Sequence, residues 1–89
     1  MAGILIQSKV RDFAAWKKVF DSGADFRASF GGLSEQVYHD AGDPNQVVIL
    51  LKWKSLAEAQ KFTQSPELKE MMNKSGVEGP PVFHFLNEA

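Results

Sequence analysis

Two side chains of this 89-residue sequence, His39 and His84, can exchange protons near neutral pH without help from their surroundings. His39 stands between Tyr38 and Asp40, and His84 between Phe83 and Phe85. Either imidazole could serve as general acid or base if a substrate proton came within hydrogen-bond reach. The structural alternative is a solvated strand end for His39 and a sheet-rim or subunit contact for His84. Arg27 could offer its guanidinium to a carboxylate or enolate, or stand in solvent beside Asp25 or Glu35. Trp16, Phe20, Trp53, Phe62, Met71 and Met72 make an aromatic and thioether-rich set. Such a set either fills a core or walls a pocket for a flat apolar ligand. The candidate catalytic residues are thus His39 and His84, and the candidate ligand contacts are Trp16, Phe20, Arg27, Tyr38, Trp53, Phe62 and Met72.

Other chemistries lack their signatures. The sequence has no cysteine and no His-Glu-x-x-His pattern, so no protein metal site is expected. Gly31-Gly32 and Gly76 read as helix stops without phosphate-loop spacing, and no Ser, His and Asp grouping suggests a nucleophile with its base. Ten basic and eleven acidic residues are interspersed, giving a net charge of −1. Nothing in that pattern would track a phosphate backbone, so nucleic acid is not an expected partner. The apolar runs are too short to span a bilayer. The first residues lack the basic region and cleavage pattern of a signal peptide. A cytoplasmic protein is the expectation.

The elements that must position these residues follow from periodicity. Ile4 and Ile6 alternate with Leu5, Gln7 and Lys9 over Gly3 to Val10, a strand pattern. Asp12 suits an N-cap, and Phe13, Trp16, Val19 and Phe20 follow at helical spacing. Ser22-Gly23 interrupts this helix, Ala24 to Phe30 resumes it, and Gly31-Gly32 ends it. Leu33 to Asp40 is a moderately polar strand suited to a sheet edge. Ala41-Gly42-Asp43-Pro44-Asn45 is a hairpin connection, with Gly42 and Asn45 able to take positive φ. Gln46 to Trp53 is the third strand, and Ser55 with Glu58 matches a capping box. Leu56, Ala59 and Phe62 stripe the next helix, which restarts at Ser65-Pro66 and stops at Gly76. Val77 to Pro81 reads as a loop and Val82 to Leu86 as a fourth strand. Laying Ile4-Leu5-Ile6 on Val47-Val48-Ile49 also lays Asp12 on Ser55 and Ser22 on Ser65, so one plan is used twice.

The order βαββαβ is the ferredoxin-like split βαβ arrangement, an α+β fold with a four-stranded antiparallel sheet, in one domain over residues 1–89. Both helical connections lie on one face of such a sheet. Matching the two halves puts Ile4, Ile6, Val47, Ile49, Leu51 and Trp53 under the helices. Leu5, Val48 and Leu50 then form an apolar centre on the helix-free face, flanked by Gln7, Lys9 and Lys52. A chain this short buries only about 60–65% of its unfolded surface, and apolar patches mark interaction sites. The expectation is a C2 homodimer through the helix-free face, against a monomer with a half-wet sheet.

The sequence resembles the dimeric α/β-barrel superfamily and, within it, the antibiotic-biosynthesis-monooxygenase-like small proteins. The residues that carry the likeness are Asp12-Phe13-Ala14-Ala15-Trp16, Asp43-Pro44-Asn45-Gln46-Val47-Val48, Trp53-Lys54-Ser55 and Ser65-Pro66-Glu67-Leu68 through Gly76-Val77. The resemblance implies two protomers pairing their sheets into a barrel with the helices outside. It also implies small, often aromatic or polycyclic ligands in a cleft between helices and sheet. Haem-degrading members carry a Trp and a haem-ligating His at positions that fall near Phe62 and Met72, and Met72 has no imidazole. Haem degradation is therefore disfavoured. The resulting expectation is a binder of a small hydrophobic or aromatic molecule. It would act as a cofactor-independent monooxygenase or a cyclase/isomerase-like enzyme, with His39 or His84 moving protons. The alternative is a non-catalytic binding or structural dimer whose core is filled by its own aromatics.

Overall fold

A computed structural model describes residues 2–89. The element order is β1 (Ala2–Val10), α1 (Phe13–Ser22), α2 (Ala24–Ser29), β2 (Gly32–His39), β3 (Gln46–Trp53), α3 (Leu56–Thr63), α4 (Pro66–Ser75) and β4 (Val77–Asn87). The strands form one antiparallel sheet in the order β2-β3-β1-β4. This is the ferredoxin-like arrangement. β1 and β3 take the centre because they are apolar on both faces, and the more polar β2 and β4 take the edges.

Register fixes which side chains share a face. Ile4 lies opposite Leu51 and Phe85, and Ile6 opposite Ile49 and Phe83. This row faces the helices, where Ile4, Ile6, Val10, Val47, Ile49, Leu51 and Trp53 are buried with Trp16, Ala59 and Phe62. Leu5 lies opposite Leu50 and His84, and Gln7 opposite Val48 and Val82, on the helix-free face.

Local chemistry places the helices. Asp12 Oδ2 accepts from Ala15 N at 2.9 Å, and the Ser55 and Ser65 hydroxyls accept from Glu58 N and Leu68 N. Each satisfies a first-turn N–H that the helix cannot pair internally. The Ser55 cap is only half of a capping box, because the Glu58 carboxylate is turned toward Gly31. Gly31 has φ +102° and Gly76 φ +86°, so both helical connections end in a backbone conformation that favours glycine. Asn45 ties the hairpin to β1 and α1. Its carbonyl accepts from Val10 N at 2.8 Å and its side-chain oxygen from Phe13 N at 3.0 Å.

Two expectations change. The hairpin connection uses no positive φ at Gly42 or Asn45. Asp40 and Asp43 shape it instead, each accepting a backbone N–H two residues on. The stretch Val77 to Pro81, expected as a loop, belongs to β4. Glu78 pairs with Lys9 and Val82 with Gln7, so Gly79, Pro80 and Pro81 bulge opposite Ser8. An edge strand tolerates prolines at a bulge because no ladder bond is required of them there. Among the described residues, no helix is long and apolar enough to cross a membrane.

Candidate functional site

The helices do not close completely on the sheet. A cavity of about 70 Å³ lies between α1, α2, α3 and α4 on one side and β1, β3 and β4 on the other. Ile6, Ile49, Leu51 and Phe83 floor it, Trp16, Val19, Phe20, Phe26 and Phe62 wall it, and Leu68, Met71 and Met72 bound it on α4. A water needs roughly 10–15 Å³ of such space and a benzene-binding cavity offers about 150 Å³, so several waters fit and a ring enters only as the lining opens. The thioethers of half-buried Met71 and Met72 form the adaptable side. A flat apolar molecule suits this lining.

Three polar side chains reach the cavity: Ser8, Arg27 and Ser75. Ser75 Oγ donates to Met72 O at 3.0 Å and is thereby satisfied. Arg27 is buried, with 5% of its surface exposed. Its Nη1 donates to Phe20 O at 2.7 Å, its Nε to Glu35 Oε2 at 3.2 Å, and its Cζ lies 3.9 Å from the Phe20 ring centre. Nη2 is buried and has no partner among the described residues. Ser8 Oγ is likewise buried and unpartnered. Leaving such groups unpaired costs about 1–3 kcal/mol each, more when charged. Native proteins leave few of them without a functional reason.

The sequence-derived candidates separate into groups. Trp16, Phe20, Arg27, Phe62 and Met72 come together around the cavity, together with Met71. Trp16 stacks on Phe20 with ring centres 5.1 Å apart. Trp53 stands behind this wall, fully buried, with its indole N–H donating to Phe30 O at 2.7 Å. It fixes the end of α2 and does not line the cavity. Tyr38 lies opposite Val48 on the helix-free face, 55% exposed. His84 shares that face, opposite Leu5. His39 is exposed at the end of β2, where its ring meets the edge of Phe13. The expected approach of an imidazole to the cleft is therefore not seen within this chain, because strand parity and strand end carry both rings away. Arg27 differs from its expected solvated role. It has the Glu35 partner, yet it is buried because α2 packs it over Phe20.

Ser8 escaped sequence reading, although it had a signal. It continues the row Ile4, Ile6, Val10, so it is a polar residue at a helix-facing position. Among the described residues, no group of three His, Asp or Glu side chains is arranged to hold a metal ion.

The sequence matches the family model of antibiotic biosynthesis monooxygenases over residues 4–74. No curated protein matches the chain. A Bordetella bronchiseptica protein, given as a candidate antibiotic biosynthesis monooxygenase, superposes with a TM-score of 0.84 at 13% identity, covering 99% of this chain and 96% of that one. SnoaB, a cofactor-independent oxygenase from Streptomyces nogalater, superposes with a TM-score of 0.80 at 13% identity, covering 99% and 92%. A Caulobacter crescentus protein given as another candidate of the same kind has a TM-score of 0.77 at 19% identity, covering 99% and 89%. At these identities the structural likeness is one of fold. The family pattern itself runs from β1 to α4, and the chain belongs to the antibiotic biosynthesis monooxygenase family.

Proposed function

We propose that the protein binds a small hydrophobic or aromatic molecule in the helix–sheet cavity and oxygenates it without a cofactor. The observation that carries this reading is an apolar cavity with the buried, partly unpaired Arg27 guanidinium at its wall. Family membership and the likeness to the cofactor-independent oxygenase SnoaB support the reaction class. Oxygenation without a cofactor must draw its electrons from the substrate. A methylene activated by a neighbouring ring or carbonyl can supply them to dioxygen. The methylene carbon is oxidised to a carbonyl that keeps one oxygen atom, and both of its hydrogens leave with the other oxygen atom as water. The protein's part would be to exclude water and to hold the developing oxyanion against Arg27.

A second reading is a non-catalytic binder. It is favoured by one observation: among the described residues, no Asp, Glu or His lines the cavity. Oxygen uptake measured with 2-tetralone, an enolisable aromatic ketone, separates the two. The oxygenase consumes one dioxygen per ketone and loses that activity in Arg27→Met. Binding without uptake leaves the second reading.

The same proposal includes a homodimer through the helix-free face and a cytoplasmic site of action. Leu5, Val48 and Leu50 at the centre of that face are only half-buried, and Val82 and Leu86 at its β4 side are 49% and 39% exposed. A second copy would cover them.

A further inference from the structure

The two unpaired polar atoms of the cavity say more about the ligand than its apolar walls do. Arg27 Nη2 carries two N–H donors, accepts nothing, and stays charged. Its neighbours on the same guanidinium are already engaged by Phe20 O and Glu35 Oε2. Glu35 does not need both sides of the fork: its side chain is 40% exposed and it takes only the Nε proton. What Nη2 lacks is an acceptor, and a charged buried donor gains most from an anionic one.

Ser8 is the second unpaired group. It lies where the β1–β4 register slips, opposite the bulge of Gly79, Pro80 and Pro81. Bulges re-aim side chains and gather beside functional sites. On β3, Ser8 lies opposite Val47, whereas Glu35, the partner of Arg27, lies opposite Leu51 on the same face. At about 3.3 Å per residue those two strand positions are roughly 13 Å apart. Ser8 and the Glu35 partner of Arg27 thus mark two separate strand positions beside the cavity.

Resting on the reading that the cavity takes an aromatic molecule, we infer that the ligand carries two polar groups. A delocalised oxyanion, carboxylate or enolate, meets Arg27 Nη2. A separate hydroxyl or carbonyl meets Ser8 Oγ. Arg27 and Ser8 are binding residues in this assignment.

Equilibrium dialysis of the full chain against 2-methylnaphthalene, 2-naphthamide, 2-naphthoate and 6-hydroxy-2-naphthoate tests the inference. The naphthoate is expected to bind at least about tenfold more tightly than either neutral compound, the gain typical of a hydrogen bond to a charged group. The added hydroxyl should tighten binding further. Arg27→Met should erase the naphthoate advantage while 2-methylnaphthalene binding persists, and Ser8→Ala should erase only the hydroxyl's increment. Arg27→Lys, which keeps the charge without the fork, should give an intermediate advantage and serves if the Met variant does not fold. Equal binding of naphthoate and hydrocarbon, or an advantage that survives in both Arg27 variants, overturns the inference and leaves the aromatic-binding reading standing. If none of the four compounds binds, the aromatic-binding reading falls and this inference with it.

Discussion

At Ser8 stability and binding pull in opposite directions, whereas Arg27 serves both. The Ser8 hydroxyl is desolvated without a protein partner, so Ser8→Ala removes a penalty instead of a hydrogen bond. Urea unfolding of Ser8→Ala should show the ligand-free protein unchanged or more stable, by up to about 1 kcal/mol. A loss of stability would mean that the hydroxyl is satisfied in solution. Arg27 makes two hydrogen bonds and packs over Phe20. Arg27→Met should therefore destabilise the protein by about 1–3 kcal/mol in the same assay, the loss of both hydrogen bonds and of the packing over Phe20 outweighing the relief at Nη2. Legibility at this scale was uneven. Helical spacing and residue type pointed to Trp16, Phe20, Phe62 and Met72 because aromatic stripes follow period 3.6. The depth of Arg27 was hidden, since it depends on how a short helix rolls onto Phe20. Ser8 could have been found from its place in the Ile4–Ile6–Val10 row, but one polar residue in a short strand is a weak departure from the pattern.

At the scale of elements, the caps and stops were plain in the sequence. Asp12, Ser55 and Ser65 each hold a first-turn N–H, and Gly31 and Gly76 each close a helical connection. These features are local and need no tertiary context. Gly31 is the sharper case: with φ +102°, a side chain there would also run into the Glu58 carboxylate and crowd Trp53 Nε1 at 3.2 Å. Gly31→Ala should cost at least about 2 kcal/mol in thermal or urea unfolding. It should also loosen Trp53, whose indole bonds to the adjacent Phe30 carbonyl at 2.7 Å. A near-neutral result would show that the connection can re-form with another backbone. Only the first part of β4, Val77 to Pro81, resisted sequence reading, because prolines argue against a strand, and only its edge position and the bulge opposite Ser8 make Pro80 and Pro81 acceptable. The bulge is thus the reason that stretch was hidden, and it leaves Ser8 without a registered partner on β4.

For the whole molecule, alternation in two central strands carried most of the fold. Ile4 and Ile6 against Leu5, and Val47, Ile49 and Leu51 against Val48 and Leu50, require cover on both faces, and the helices supply it on one. The dimer follows as a proposal from the other. Light scattering at micromolar concentration should give a dimer, and Leu50→Glu should shift it to monomer by placing a charge at the centre of the shared face. A wild-type monomer would contradict it. The central claim concerns the helix-covered face: it is there that a ligand enters, between Arg27 and Ser8. The most direct measurement is amide and methyl chemical-shift mapping by NMR during titration with 2-naphthoate. The account predicts saturable shifts at Ser8, Arg27, Met71, Met72 and Val77, with Leu5, Val48, Leu50 and Val82 unmoved. Shifts confined to that second group, or none at either, would contradict it.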